Sequence, residues 1–206
     1  MYDDKDLETI KIVLIGESGV GKTSIILQFV DQKFKEEQQS TMGGMFSTKT
    51  IKFGNGQKIN IELWDTAGQE RYRSISNMFY KDAQAVLLVY DITSRDSFEE
   101  LKNYWMTQVK DCCMEKCIIG VVANKSDLFE QEEVDENEAR EFARNNNALF
   151  AITSAKNTSG IDNLFLEISK KYTSSETLTL GGDNSRNDSV KLTMNSFAIA
   201  KKKKCC

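Results

Sequence analysis

The sequence predicts an α/β fold: a six-stranded, mostly parallel sheet with one antiparallel edge strand and helices on both faces. Three observations carry this. Four short apolar runs, Ile10–Ile15, Val86–Tyr90, Ile118–Val122 and Ala148–Ile152, are rich in β-branched residues and apolar at consecutive positions. Strands covered on both faces read this way, and such strands form parallel sheets. Stretches of helical spacing lie between them, giving a doubly wound alternation. A glycine-rich turn joins the first run to the first helix, the setting in which backbone amides can gather an anion.

Taken in order, Ile10–Ile15 is the first strand and Thr23–Asp31 the first helix. Thr48–Phe53 and Lys58–Leu63 then break the alternation: two strand-like runs around G-N-G-Q make a hairpin and supply the antiparallel edge. Val86–Tyr90 is followed by helical spacing over Asp96–Lys110, Ile118–Val122 by Glu136–Asn145, and Ala148–Ile152 by Gly160–Tyr172. After Tyr172 the chain turns to Ser, Thr, Gly and Asn, with little apolar content to offset the entropy of ordering. The reading is one domain over residues 8–172 and a flexible tail over 173–206, ending in K-K-K-K-C-C. A length of 206 residues gives no reason to expect a second domain.

Charge is divided unevenly. The tail carries six basic and three acidic residues, leaving 21 basic and 28 acidic in the body. An acidic body is poorly suited to nucleic acid, whereas the basic end suits an anionic surface. The start, M-Y-D-D-K-D, lacks the pattern of a signal peptide, and no apolar run approaches the ~18 residues needed to span a bilayer, so folding in the cytosol is expected. The chain has no histidine, which sets aside His-dependent hydrolase and zinc protease schemes. Cys112, Cys113 and Cys117 lack a recognised ligand spacing and read as packing at a helix end and strand start.

Four segments carry chemistry. Gly16-Glu17-Ser18-Gly19-Val20-Gly21-Lys22-Thr23, with Ser24 after it, matches G-x-x-x-x-G-K-S/T between a strand and a helix, the mark of a P-loop NTPase. Its backbone N–H groups can cradle phosphates at a helix N-terminus, Lys22 can reach the β- and γ-phosphates, and the Thr23 hydroxyl can bind magnesium. Asn124-Lys125-Ser126-Asp127 follows a buried strand and names the base. Guanine presents N1–H and an N2 amine, both donors to one carboxylate; adenine would leave the Asp127 carboxylate unpaired. Ser154-Ala155-Lys156 follows the last strand, where the Ala155 N–H could meet the guanine O6. Asp65-Thr66-Ala67-Gly68-Gln69-Glu70 ends the strand Ile59–Trp64: Asp65 suits magnesium, Gly68 can offer an N–H to the γ-phosphate, and Gln69 can orient the attacking water.

With these segments in order, the chain resembles a Ras-superfamily small GTPase. W-D-T-A-G-Q-E-R-Y-R-S, Phe79-Tyr80-Lys81-Asp82-Ala83, Tyr90-Asp91-Ile92-Thr93 and Cys205-Cys206 are similar to the Rab family within it. G-E-S-G-V-G-K-T and M-F-Y-K-D-A-Q-A resemble the early-endosomal Rab branch. The resemblance implies a switch that binds GTP or GDP with Mg2+, hydrolyses GTP slowly and recruits effectors to intracellular membranes in vesicle trafficking. It implies that Thr41 is a magnesium ligand, that Phe34 packs on the guanine, that Gln69 is catalytic, and that Phe46, Trp64 and Phe79 read nucleotide state for effectors. It also implies geranylgeranyl groups on Cys205 and Cys206. The implied partners are a guanine nucleotide exchange factor, a GTPase-activating protein, a GDP-dissociation inhibitor, and a Rab escort protein with geranylgeranyl transferase. The protein is then a monomer cycling between cytosol and the cytosolic face of an intracellular, endosomal-type membrane.

Departures from the pattern fall in the first switch, where Met42-Gly43-Gly44-Met45-Phe46 carries a second glycine and hence added backbone freedom. Ser18 stands where the Ras archetype has glycine. Two other readings stay open at this point. A nucleotide-locked binding module would show no turnover, and a P-loop ATPase or nucleoside kinase would exchange ATP as readily as GTP.

Overall fold

A computed structural model of the chain describes residues 7–36, 41, 44–66, 82–113 and 116–180. Six strands form one sheet in the order β2-β3-β1-β4-β5-β6. They are β1 (Thr9–Ile15), β2 (Met45–Lys52), β3 (Lys58–Asp65), β4 (Ala85–Asp91), β5 (Ile118–Asn124) and β6 (Leu149–Ile152). Strand β2 runs antiparallel, paired to β3 with Phe46 opposite Trp64; β1–β3, β1–β4, β4–β5 and β5–β6 are all parallel. The helices are α1 (Lys22–Asp31), α2 (Arg95–Glu100), α3 (Met106–Cys112), α4 (Glu136–Asn145) and α5 (Ile161–Leu180), with a π turn, Leu101–Trp105, between α2 and α3.

The consecutive apolar residues of the central strands divide by parity, because successive side chains leave a strand on opposite faces. Ile10, Ile12 and Leu14 of β1 and Leu87 and Val89 of β4 pack with Ile25 and Phe29 of α1 and Phe165 and Ile168 of α5. The Phe29 and Phe165 rings stack with centroids 4.0 Å apart. On the other face Val13, Ile15, Val86, Leu88 and Tyr90 meet Phe98, Trp105, Val109, Ala139 and Ala143. Cys112, Cys113 and Cys117 are free and half-buried against this second cluster. The edge strand β2 is covered less and alternates half-buried with exposed residues over most of its length.

Two elements differ from the sequence reading. The single helix expected over Asp96–Lys110 is interrupted by the π turn. The last helix runs past Tyr172, where the helical spacing ends, to Leu180. Thr173 and Ser174 donate their hydroxyls back to Ser169, Lys170 and Lys171 carbonyls, and no glycine intervenes before Gly181. Such back-bonding is how Ser and Thr hydroxyls are satisfied inside a helix. No helix among the described residues is long and apolar enough to cross a membrane.

Candidate functional site

The carboxyl ends of β1, β3, β4, β5 and β6 lie along one edge of the sheet, as parallel pairing requires, and the loops leaving them build one cleft. Its volume is about 330 Å³, and its lining includes Gly19, Lys22, Thr23, Phe34, Asp127 and Ala155. Ser18, Gly21, Ser24, Thr41, Asn124, Lys125 and Lys156 also border it.

The loop between β1 and α1 is held from several sides. Gly21 has φ of +97° and caps α1, a left-handed position open to glycine at little cost. A Cβ there would sit 2.3 Å from Asn124 Nδ2, so the close approach of Asn124 also demands glycine. That amide donates to the Val20 carbonyl at 2.8 Å, and its Oδ1 accepts from Thr153 Oγ1 at 3.1 Å. The Asn124 side chain thereby ties the phosphate-type loop to the end of β5 and the start of the β6 loop. Val20 itself is turned into the hydrophobic core, so its backbone alone is left for a ligand.

Lys22 is 5% exposed and donates from Nζ to the carbonyls of Gly16 and Glu17, each at 2.8 Å. Burial lowers its pKa to about 8, while the Asp65 and Glu17 carboxylates pull it back up. Asp65 is 1% exposed. Its Oδ2 accepts from Thr23 Oγ1 at 2.6 Å and Thr41 Oγ1 at 3.3 Å, and the two threonine oxygens are 2.7 Å apart. Its Oδ1 is buried with no hydrogen-bond partner among the described residues. Burial raises the Asp65 pKa, opposed by the Thr23 hydroxyl, Lys22 and the Thr41 hydroxyl. Two threonine hydroxyls gathered on one oxygen of a carboxylate whose other oxygen is unsatisfied are the hard oxygen donors that a magnesium ion takes, so the residues fit that metal.

At the far end, Ser154 Oγ donates to Asp127 Oδ1 at 2.5 Å and accepts from the Asn157 N–H at 3.2 Å. Ser154 is fully buried and acts behind the cleft wall rather than on it. Lys125 takes a positive φ of 65° and pairs with Asp91 at 2.5 Å. Asp91 is in turn fixed by the Thr93 N–H and hydroxyl at 2.9 and 2.8 Å. Lys156 meets Glu36 at 3.2 Å, linking the last loop to the segment after α1. Away from the cleft, Phe46 is 52% exposed and lies edge-on to Trp64 with ring centroids 5.1 Å apart. Gly68, Gln69, Phe79, Cys205 and Cys206 lie outside the described residues.

Residues 11–174 match the model of the Ras family. The chain belongs to the Ras family. It is therefore a small GTPase, a switch of a kind that binds GTP or GDP and generally magnesium, and that works with exchange factors, activating proteins and effectors. The Ras-family fold accounts for the shared cleft edge, and sequence reasoning missed three residues there. Asp91 is the last residue of the buried strand β4 and reads only as its polar end, whereas the fold sets it against Lys125. Leu128 lines the cleft and directly follows N-K-S-D, which was the available signal. Glu36 is one charge in the mixed stretch Lys33-Phe34-Lys35-Glu36-Glu37, and nothing local foretells its contact with Lys156.

Proposed function

We propose that this Ras-family chain is a Rab-like GTPase that binds guanine nucleotide in the 330 Å³ cleft and switches effector recruitment on an intracellular membrane. The observation that carries the nucleotide reading is the joining of base end and phosphate end by Asn124. Its side chain, three positions before Asp127, bonds the loop that leads into Lys22, and both residues line the one cleft.

In this reading the guanine N1–H and N2 amine donate to Asp127, which Ser154 holds in place, while Leu128, Phe34 and the stem of Lys125 offer apolar surface to the ring. The Ala155 N–H faces the O6 position. Backbone N–H groups from Ser18 to Ser24 receive the phosphates, and Lys22 contributes a full positive charge at short range. Thr23, Thr41 and Asp65 would hold the magnesium ion, which supplies charge neutralisation between the β- and γ-phosphates. Gln69 orients the attacking water and Gly68 offers its N–H to the γ-phosphate. Phosphoryl transfer of this type rests on positioning and electrostatics. In this reading the chain turns over slowly alone and gains about 10³ to 10⁵ from an activating protein that supplies an arginine.

The Rab-level reading is supported by the stretch after Trp64, by Tyr90-Asp91-Ile92-Thr93, and by the exposed Phe46 beside Trp64, a pair on the β2–β3 hairpin available to an effector. With Phe79 it would complete an aromatic triad. Cys205 and Cys206 after four lysines suit double geranylgeranylation by an escort protein with its transferase. Two chains, or one chain with a basic patch, anchor stably where one alone does not. A GDP-dissociation inhibitor then extracts the lipidated form, and the protein cycles between cytosol and an endosomal-type membrane.

Two measurements test this. Competition of a fluorescent GDP analogue by GDP, GTP, ADP and ATP should show displacement by the guanine nucleotides alone; equal displacement by ATP sinks the nucleotide reading. Prenylation reactions with the escort-dependent transferase should modify the full chain, and modification only by a C-a-a-X transferase, or by neither, sinks the Rab reading.

A further inference from the structure

Glu17 is the second residue of the phosphate loop, yet its side chain does not border the cleft. It is held from two directions. Its backbone carbonyl accepts from Lys22 Nζ at 2.8 Å, and its Oε1 accepts from Trp105 Nε1 at 3.3 Å, across 88 positions of sequence. Trp105 is 1% exposed, closes the π turn Leu101–Trp105, and packs in the core between the sheet and the α2–α3 layer. The Tyr104 ring stands edge-on against it, centroids 5.0 Å apart.

An indole has two side-chain torsions and a single donor, and this one is locked by packing on every side. It is thus a fixed point rather than an adaptable partner. A π turn takes one residue more than an α turn, which rotates the succeeding residues by roughly 100° about the helix axis. The π turn therefore sets the direction in which Trp105 leaves the helix, and that direction is toward the back of the phosphate loop. The acceptor is a carboxylate oxygen, reached at 3.3 Å.

We infer that Trp105 is a positioning residue for nucleotide binding: its indole N–H fixes Glu17, and through the Glu17 carbonyl it fixes where the Lys22 ammonium meets the phosphates. The inference rests on the guanine-nucleotide reading of the cleft. It makes the α2–α3 layer, which touches no ligand, a determinant of how long a nucleotide stays bound. A purely structural Trp105 would fill core volume and influence the site no more than any neighbour of equal burial.

The full chain is loaded with a fluorescent GDP analogue and release is measured after adding excess GDP. Trp105→Phe keeps the ring packing and loses the donor; Glu17→Ala loses the acceptor; Glu17→Gln keeps it. Trp105→Phe and Glu17→Ala should each speed release about 5- to 12-fold, the upper part of the scale of one net hydrogen bond. The double variant should be no faster than the faster single one, since both remove the same contact. Glu17→Gln should stay within about threefold of the parent. Val109→Ala, a fully buried neighbour in the same cluster, should lower the melting temperature without changing release. The ³¹P resonance of the bound GDP β-phosphate should move in Trp105→Phe and not in Val109→Ala.

Multiplicative rates in the double variant, or acceleration by Val109→Ala matching that of Trp105→Phe, would overturn the inference. Should Trp105→Phe fail to fold, the contrast of Glu17→Ala with Glu17→Gln decides it: equal release rates refute the role. A parent chain that binds no GDP refutes the cleft reading instead, before any variant is compared.

Discussion

Replacing Asp127 by asparagine removes one charge and reverses one hydrogen-bonding direction, which makes it the sharpest probe of base recognition. Ser154 Oγ donates to Asp127 Oδ1 at 2.5 Å from a fully buried position. In Asp127→Asn that hydroxyl selects the amide oxygen for the same place, which turns Nδ2 toward the base. Guanine then meets a donor where both of its own edge groups are donors. Two hydrogen bonds to a charged group are lost, each worth about 1.5 to 3 kcal/mol. At about 1.4 kcal/mol per factor of ten, GDP affinity should fall by roughly 10² to 10⁴. Xanthine carries a carbonyl at C2 in place of the amine, and the outward-facing amide can donate to it. Competition of a fluorescent guanine nucleotide by GDP and XDP, in parent and variant, measures both halves. A variant that keeps GDP affinity within about threefold, or gains nothing toward XDP, refutes this account of the base loop.

Chelating magnesium should speed GDP release more than about tenfold, because Asp65 and the phosphates then face one another at the several kcal/mol of a near-contact like-charge pair; Thr23→Asn should reproduce part of this, and GTP and GDP retention equal to the parent would count against it. GDP affinity should weaken as pH rises above about 8, measured over pH 7 to 9: burial lowers Lys22 to about 8 in the nucleotide-free protein, phosphates raise it again, and binding above that pH must take up a proton. A flat profile removes Lys22 from the phosphate contact. Gln69→Leu should slow single-turnover phosphate release while leaving GDP affinity within about threefold, and an unchanged rate would deny Gln69 its role. Cys205→Ser with Cys206→Ser should move the chain expressed in a prenylating cell from the detergent phase to the aqueous phase on hydrophobic partitioning; equal partitioning ends the lipid reading.

The fold was legible because its signals are local. Strand β4 is buried at every position and reads as an unbroken apolar run, and the G-N-G-Q turn specifies the β2–β3 hairpin without help from the rest of the chain. The cleft residues were legible where a motif fixes both residue type and spacing, as in Gly21-Lys22-Thr23 and Asn124 to Asp127. What escaped the sequence is tertiary in origin. The π turn at Leu101–Trp105 has no glycine or proline to mark it, and its periodicity matches an α-helix over so short a span. Asp91 reads as the polar end of a buried strand until the fold brings Lys125 against it. Ser154 reads as part of the base contact, but packing places its hydroxyl behind Asp127, a distinction of depth that no linear pattern encodes.

Lys22 and Asp65 show why stability and ligand binding in this chain should be inseparable. Both are buried, and burial works against the charge of each: the Lys22 pKa falls and the Asp65 pKa rises. Each partly supports the other, but the Asp65 Oδ1 has no donor among the described residues, and the Lys22 ammonium gives its hydrogen bonds to backbone carbonyls. A phosphate opposite Lys22 and a divalent cation on Asp65 resolve both at once, since each supplies the charge the protein side lacks. Thr23 shows the rearrangement involved. Its hydroxyl now donates to Asp65 Oδ2, and coordination of a cation through its oxygen lone pair requires that proton to be redirected, so metal and nucleotide binding must reset the same hydrogen bonds that hold Thr41. A ligand at about a thousand times its dissociation constant adds about 4 kcal/mol to a folded state that alone holds it. That is a large share of the marginal stability of a domain this size, so an exchange partner that pries Thr41 away from Thr23 and Asp65 loosens the nucleotide and the surrounding loops in a single step.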